Sequence, residues 1–226
     1  MNLLLIGIVG STAYGLAGPD SDVDRLGVFA APTVELFGLH PPKESLVTTK
    51  PDRTLHEARK WCGLALNGNP TAVELVWLPD DLYEVRTPLG DELIGIRSAM
   101  LSAPRVRAAY LGYATQQFRK LENRSDGTFS SETRGRTAKH ARHLARLLFQ
   151  GRTLYATGEL PIRLADPETY RDFGDRVADG DLTAAGRLMA EAEASFDRDP
   201  TVLPEKPDEA VVEDWLRRVR LTFLPG

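Results

Sequence analysis

The sequence has little cysteine, no long hydrophobic run and no excess of basic charge. Its single cysteine, Cys62, excludes an internal disulfide, lies in an apolar run typical of a buried structural thiol, and favours a reducing compartment such as the cytoplasm. The apolar N-terminal run is interrupted by glycines and lacks a basic leader, so we expect no signal peptide. We also expect no membrane-spanning segment. With 32 acidic against 28 basic residues, nucleic-acid binding over a broad surface is disfavoured, and any such contact is expected to be local.

The remaining composition is that of an ordinary globular protein, with 42% hydrophobic and 27% charged residues. The length of 226 residues suits one large domain or two small ones. Short apolar runs separated by glycine and proline predict strands in the first part of the chain, whereas helical spacing dominates later. We therefore expect an α/β (α+β) fold in two parts. A small mixed sheet with helices would span residues 1–95, and a mainly helical domain over residues 96–226 would wall one side of the active-site cleft.

The most informative stretch is LLLIGIVGSTAYGLAGPDSDVDRLGVF, residues 3–29. An apolar strand leads into Gly10-Ser11, and a second strand, predicted over residues 22–30, begins with Asp22 and Asp24. Strand side chains alternate between faces, so both carboxylates are expected to point the same way, and a divalent cation is the simplest way to neutralise them. Gly10-Ser11 is placed to open a helix, whose free N–H groups bind phosphate. The loop therefore predicts adjoining phosphate and metal sites, as a nucleoside triphosphate with magnesium requires.

Simpler interpretations account for only part of this stretch. Residues 19–22, PDSD, are good turn chemistry, but a polar turn does not explain Asp24 at the entrance to an apolar strand. Gly10 is alternatively a plain strand-to-loop glycine. The stretch has no Gly-Lys-Ser/Thr and does not fit GxGxxG, so a P-loop and a dinucleotide fold are poorly supported.

Two blocks carry a resemblance to a known family. GSTAYG followed by SDVD resembles the GS…DxD signature of polymerase-β-type nucleotidyltransferases. With the later block LHEARKWCGLALNGNPTAVELVWLP, the chain resembles the predicted nucleotidyltransferases associated with RNA ligases in RNA repair gene clusters, the YcgL/RlaP group. The resemblance implies that Asp22 and Asp24 hold two divalent ions, Mg²⁺ or Mn²⁺, and that Gly10 and Ser11 hold the β- and γ-phosphates.

The resemblance also implies a reaction. A nucleoside monophosphate would pass from a nucleoside triphosphate to a hydroxyl, and pyrophosphate would leave. The implied acceptor is an RNA end in RNA repair, and the implied partner is an RNA ligase system. A protein or small-molecule acceptor is the nearest enzymatic alternative, and a non-catalytic nucleotide sensor on the same fold is the alternative from another class.

A third carboxylate usually completes such a site, and the residues alone leave Asp52, Glu57 and Glu74 open. The resemblance favours Glu57 as the third metal ligand and catalytic residue, because an acidic residue precedes a basic pair and an apolar helix there, as in EARK. The alternative for Glu57 is an acid at a helix start, favoured by the helix dipole. Glu74 is also explained as the capping-box partner of an N-cap at Thr71. Lys60 is placed either to reach a phosphate or to face solvent.

A second constellation lies in a helix predicted over residues 137–150, preceded by a polar loop over residues 123–135 and ended by Gly151. Four residues recur at i, i+3, i+4 and i+7 and share one face: Lys139, Arg142, His143 and Arg146. The face is either a solvated surface or a binding surface for the triphosphate or an RNA end. A Lys…His…Arg-Leu-Leu pattern in the resembled family favours nucleotide binding by Lys139, His143 and Arg146.

Overall fold

The computed structural model describes residues 1–19, 21–122 and 131–224. Over these residues the chain forms five β-strands and nine α-helices. The strands are β1 (Asn2–Val9), β2 (Asp24–Ala30), β3 (Ser45–Thr49), β4 (Asp52–Glu57) and β5 (Tyr83–Arg86). The helices are α1 (Gly10–Tyr14), α2 (Ala58–Leu66), α3 (Pro70–Glu74), α4 (Pro88–Gly95), α5 (Ala103–Glu122), α6 (Ser131–Thr157), α7 (Pro167–Ala178), α8 (Leu182–Arg198) and α9 (Glu209–Thr222). The predicted α/β class is confirmed. None of the helices in the described ranges has the length and apolar character needed to cross a bilayer.

The strands form one mixed sheet in the order β3-β4-β2-β1-β5. β1 pairs antiparallel with β2 and β5, β3 pairs antiparallel with β4, and β2 runs parallel to β4. The central strands β1 and β2 are largely buried, which explains their runs of leucine, isoleucine and valine. The sequence pattern does not predict β5, because four residues that alternate in burial are too short a signal. Cys62 of α2 is buried, as predicted.

Tertiary contacts divide the chain into two units. Unit 1 comprises Met1–Ser102 with Pro204–Gly226, and unit 2 comprises Ala103–Leu203. The sequence-based division at residue 95 placed α9 with the helical half, whereas α9 packs in unit 1. There Trp215, which is fully buried, donates its indole N–H to the carbonyl of Leu89 at 2.9 Å. An amphipathic pattern shows that a helix has a buried face but does not identify the partner that covers it.

Unit 2 is built around α6, which packs against α5, α7 and α8. The helix runs through Gly151, so the prediction that this glycine ends it is wrong. A methyl group at Gly151 would lie 2.7 Å from the ring of Tyr110, so the glycine serves the close approach of α5 and α6. Of the predicted loop, residues 131–135 are helical, and residues 123–130 lie outside the described residues.

Candidate active site

Gly10, Ser11 and Asp24 meet at one edge of the sheet in unit 1, the edge formed by the end of β1 and the starts of β2 and β4. β1 ends at Val9, which lies opposite Asp24 at the start of β2. Helix α1 begins directly after Val9, at Gly10. Gly10 has a φ of 69°, in the left-handed region, and a methyl group there would overlap Oδ2 of Asp24. Glycine is therefore required at this position both by the backbone conformation and by the carboxylate that lies against it.

Asp52 reaches the same edge of the sheet. β2 and β4 run parallel with Arg25 opposite Arg53, so Asp24 and Asp52, each one residue earlier, begin neighbouring strands. Neighbouring strands lie about 4.8 Å apart, and side chains at matching positions share a face. Asp24 is partly buried and Asp52 is exposed. The sheet thus brings together two carboxylates that are distant in the sequence.

Glu57 lies at the opposite end of β4. Its register partner is Phe29, five residues beyond Asp24, or about 16 Å along the strand. The Glu57 side chain is buried, caps α2 by accepting from the N–H of Arg59 at 2.9 Å, and accepts two hydrogen bonds from Arg220 at 2.6 and 2.9 Å. The prediction that Glu57 shares a metal ion with Asp24 is therefore wrong. The alternative interpretation, an acid at a helix start, describes its position.

The three carboxylates chosen from the sequence do not form a preformed metal cage. Within the described ranges, no group of three or more His, Cys, Asp and Glu side chains is arranged to hold a metal ion. Asp22 lies two residues before β2 in an exposed segment, so the strand alternation that aligned it with Asp24 does not apply. The carboxylate oxygens of Asp22, Asp24 and Asp52 are nonetheless the hard donors that Mg²⁺ and Mn²⁺ prefer. Asp24 also lies against Gly10, in the loop expected to hold phosphate, so the donor chemistry fits a divalent ion.

Lys60 is not brought to this edge. It lies in the first turn of α2, near the Glu57 end of β4. Burial, followed by the positive charge of Lys60, lowers the pKa of His56 in the second half of β4. The triphosphate contact predicted for Lys60 therefore has no support from its position.

Glu74 is not the capping-box partner that its spacing predicts. Helix α3 begins at Pro70, and Asn69 is its N-cap, accepting from the N–H of Ala72 at 3.1 Å. The predicted N-cap at Thr71 is therefore wrong, because proline at the first helical position moves the cap two residues earlier. The carboxylate of Glu74 accepts a hydrogen bond from the hydroxyl of Tyr14 at 2.5 Å.

The basic residues of α6 become more buried along the helix. Lys139 is exposed, His143 is partly buried and Arg146 is buried. The guanidinium of Arg146 donates to Nδ1 of His143 at 3.0 Å and to Oε1 of Gln150. A guanidinium can only donate, so Nδ1 of His143 carries no proton. Arg146 is thus held in the interior of unit 2, while the nucleotide contact of Lys139 stays a prediction.

The charge state of His143 follows from the same surroundings. Burial, followed by the charges of Arg146, His140, Lys120 and Lys139, lowers its pKa to about 3. His143 is therefore neutral near pH 7. It contributes no positive charge to the predicted nucleotide-binding face.

The lowered pKa of His143 predicts a pH dependence of stability. In the unfolded chain histidine takes up a proton below about pH 6.5, whereas in the folded protein it stays neutral down to about pH 3. The unfolded state thus binds more protons in this window, so the free energy of unfolding should fall as the pH falls from about 6.5 towards 3. Denaturant titrations at several pH values should show a shallower slope for His143→Gln than for the wild type. His40→Gln, at an exposed position, is the control, and an unchanged slope for His143→Gln would contradict the assignment.

A comparison with protein families identifies the chain. The model of a family named RlaP, described as the RNA repair pathway DNA polymerase beta family, matches residues 1–179. The chain belongs to the RlaP family. The match confirms the resemblance carried by GSTAYG, SDVD and the later block, and the RlaP family indicates a nucleotidyltransferase-type role. Helices α8 and α9 lie outside the matched residues. A search of curated proteins found no match.

Proposed function

We propose that this RlaP-family protein transfers a nucleoside monophosphate from a nucleoside triphosphate to a hydroxyl at an RNA end, with release of pyrophosphate. The observation that carries the proposal is the meeting of Gly10, Ser11, Asp24 and Asp52 at one edge of the sheet. The RNA repair description of the family supports RNA as the acceptor. The net charge of −4 favours a local RNA contact over a broad one.

Each residue at this edge has a proposed role. Gly10 and Ser11 bind the triphosphate, since glycine allows close approach and serine adds a hydroxyl donor. Asp22, Asp24 and Asp52 hold the divalent ions, with Asp52 in the place for which the family resemblance favoured Glu57. The bound ions would neutralise the triphosphate and lower the pKa of the attacking hydroxyl. The acceptor hydroxyl loses its proton to solvent as its oxygen forms a bond to the α-phosphorus. The bond between that phosphorus and the bridging oxygen to the β-phosphate breaks, and pyrophosphate leaves.

Labelled nucleotides test the reaction. Purified protein is incubated with nucleoside triphosphates labelled at the α-phosphate, Mg²⁺ or Mn²⁺, and RNA, protein or small-molecule acceptors. We expect label on RNA, dependent on the divalent ion and absent with Asp22→Ala/Asp24→Ala. Label on a protein or small molecule would assign a different acceptor. Triphosphate binding without any transfer would favour the nucleotide-sensor alternative, and no difference from the double variant would contradict the proposal.

Gly10→Ala is expected to remove most of the transfer activity and to destabilise the protein. The left-handed backbone alone costs an alanine about 1–2 kcal/mol, and the added methyl group overlaps the Asp24 carboxylate. Gly180→Ala is a matched control, because Gly180 also has a positive φ, 116°, but has open space around the added methyl group. Thermal unfolding should show a loss for both variants, whereas transfer should fall only for Gly10→Ala. Equal transfer by the two variants would contradict the placement of Asp24.

A further inference from the structure

Helix α1, which carries Gly10 and Ser11, is too short to be stable by itself. It comprises five residues, and a single helical turn in isolation is unstable. Its end is fixed by the backbone, since the N–H groups of Leu16 and Ala17 donate to the carbonyl of Ser11 at 2.9 and 3.0 Å. Its last two residues, Ala13 and Tyr14, are 1% and 7% exposed and anchor the helix in unit 1.

Tyr14 is anchored by a buried carboxylate. Its hydroxyl donates to Oε2 of Glu74 at 2.5 Å, and Glu74 is only 4% exposed. Burying an ionisable side chain is costly unless hydrogen bonds compensate. The helix that carries Glu74 does not need this acid as a cap, because Asn69 already caps it. The hydrogen bond to Tyr14 is therefore a physical reason for an acid at this position.

The segment NGNP explains how Glu74 is held in place. Gly68 has a φ of 70°, Asn69 caps α3 and Pro70 opens it. These three residues set the start of a helix that ends at Glu74. The second block of the family resemblance thus contributes a support for the first block, across unit 1.

We propose that Glu74 is a positioning residue for the nucleotide loop, acting through Tyr14 on Ser11 and Gly10; this rests on the proposed function. Tyr14 lies three residues after Ser11, or about one helical turn, so the two side chains lie on the same side of α1. Releasing the hydroxyl of Tyr14 loosens the turn that presents Ser11 to the triphosphate. A misplacement of about 1 Å in such a group lowers the rate by up to about a hundredfold.

The test compares two tyrosines of unit 1 that each lose a hydroxyl. Tyr14→Phe removes the hydrogen bond to Glu74, whereas Tyr83→Phe removes one of similar length, 2.8 Å, to the carbonyl of Leu75. Both variants should unfold at a lower denaturant concentration than the wild type, because each loses one hydrogen bond. The expected kcat/KM for the triphosphate falls about tenfold or more for Tyr14→Phe and is unchanged for Tyr83→Phe. Equal stability losses with unchanged kcat/KM for both variants would overturn the proposal.

Variants of the partner complete the test. Glu74→Gln retains an acceptor oxygen and should preserve most of kcat/KM, whereas Glu74→Leu should resemble Tyr14→Phe. The double variant Tyr14→Phe/Glu74→Leu should lose no more kcat/KM than the worse single variant, because both changes remove the same interaction. Additive losses would overturn the link between Tyr14 and Glu74.

The affinity for a fluorescent nucleoside triphosphate is measured in parallel. If the wild type binds it without transferring label, the proposed function fails. A weaker affinity of Tyr14→Phe would then still support the positioning role, and an unchanged affinity would overturn it.

Discussion

Asn in place of Asp52 is expected to lower nucleotidyl transfer about a thousandfold, because a ligand to a catalytic divalent ion contributes several kcal/mol and each 1.36 kcal/mol is a factor of ten. Gln in place of Glu57 is expected to leave transfer by the folded protein unchanged. The parallel register places Asp52 beside Asp24, whereas Glu57 lies at the other end of β4. The two substitutions therefore separate the carboxylate that the structure favours from the one that the sequence favours.

The measurement has two readouts. Transfer is assayed at a temperature where circular dichroism shows both variants to be folded. Mn²⁺ binding is followed by electron paramagnetic resonance without any substrate, and Asp52→Asn should weaken it whereas Glu57→Gln should not. The reverse pattern, with loss of transfer and Mn²⁺ binding only in Glu57→Gln, would restore Glu57 as the third ligand.

Arg220→Ala is expected to destabilise the protein by about 3–5 kcal/mol, because it leaves the buried carboxylate of Glu57 without its cation. Glu57 and Arg220 are joined by two hydrogen bonds, and their side chains are 4% and 19% exposed. The loss is a large share of the free energy of unfolding of an ordinary domain. Denaturant titration measures it directly.

Arg218→Ala is the matched control for this prediction. Arg218 lies on the same helix and pairs with Glu92 at 2.9 Å, but both side chains are about half exposed. Such a surface pair contributes about 0–1 kcal/mol. Equal losses for the two variants would contradict the assignment of Glu57–Arg220 as a buried pair.

The pH dependence of the Arg220→Ala effect gives a second check. Burial raises the pKa of Glu57, but the hydrogen bonds and charge of Arg220, with N–H donors from Arg59 and Ala31, outweigh burial, so the net pKa lies below its ordinary value. The stabilisation is therefore present above the unfolded pKa of about 4.3 and is lost as the pH falls through the lower folded pKa. In Arg220→Ala, burial acts on the carboxyl with its partner removed, so Glu57 protonates readily. The difference in the free energy of unfolding between the wild type and Arg220→Ala should therefore become smaller at acid pH.

The strands and helices were largely predictable because their signals are local. The apolar run of β1 and the apolar residues of β2 both stand in the sequence as contiguous patterns. The failures also have physical causes. A glycine at position 151 predicts a helix end, because the sequence does not show that Tyr110 packs against it. Strand β5 is too short to show the alternation of buried and exposed residues that predicts a strand.

The candidate site was also predictable only where its residues lie close together in the sequence. Gly10, Ser11, Asp22 and Asp24 stand close together in the sequence, so the phosphate and metal chemistry was expected from neighbouring residues. The third carboxylate was not, since Asp52, Glu57 and Glu74 each have a local explanation. Strand direction favours Asp52, because a parallel neighbour places the start of β4, rather than its end, beside Asp24.

The sequence by itself therefore determined the family, the mixed sheet with its helices, and the loop expected to bind nucleotide, because these depend on residues close together in the chain. Only the tertiary structure decided which acid joins Asp24, where α9 packs, and that Glu57 holds Arg220 while Glu74 holds Tyr14. These are pairings between distant segments. A burial pattern shows that a side chain needs a partner, but the register of the sheet and the packing of helices choose which partner it meets.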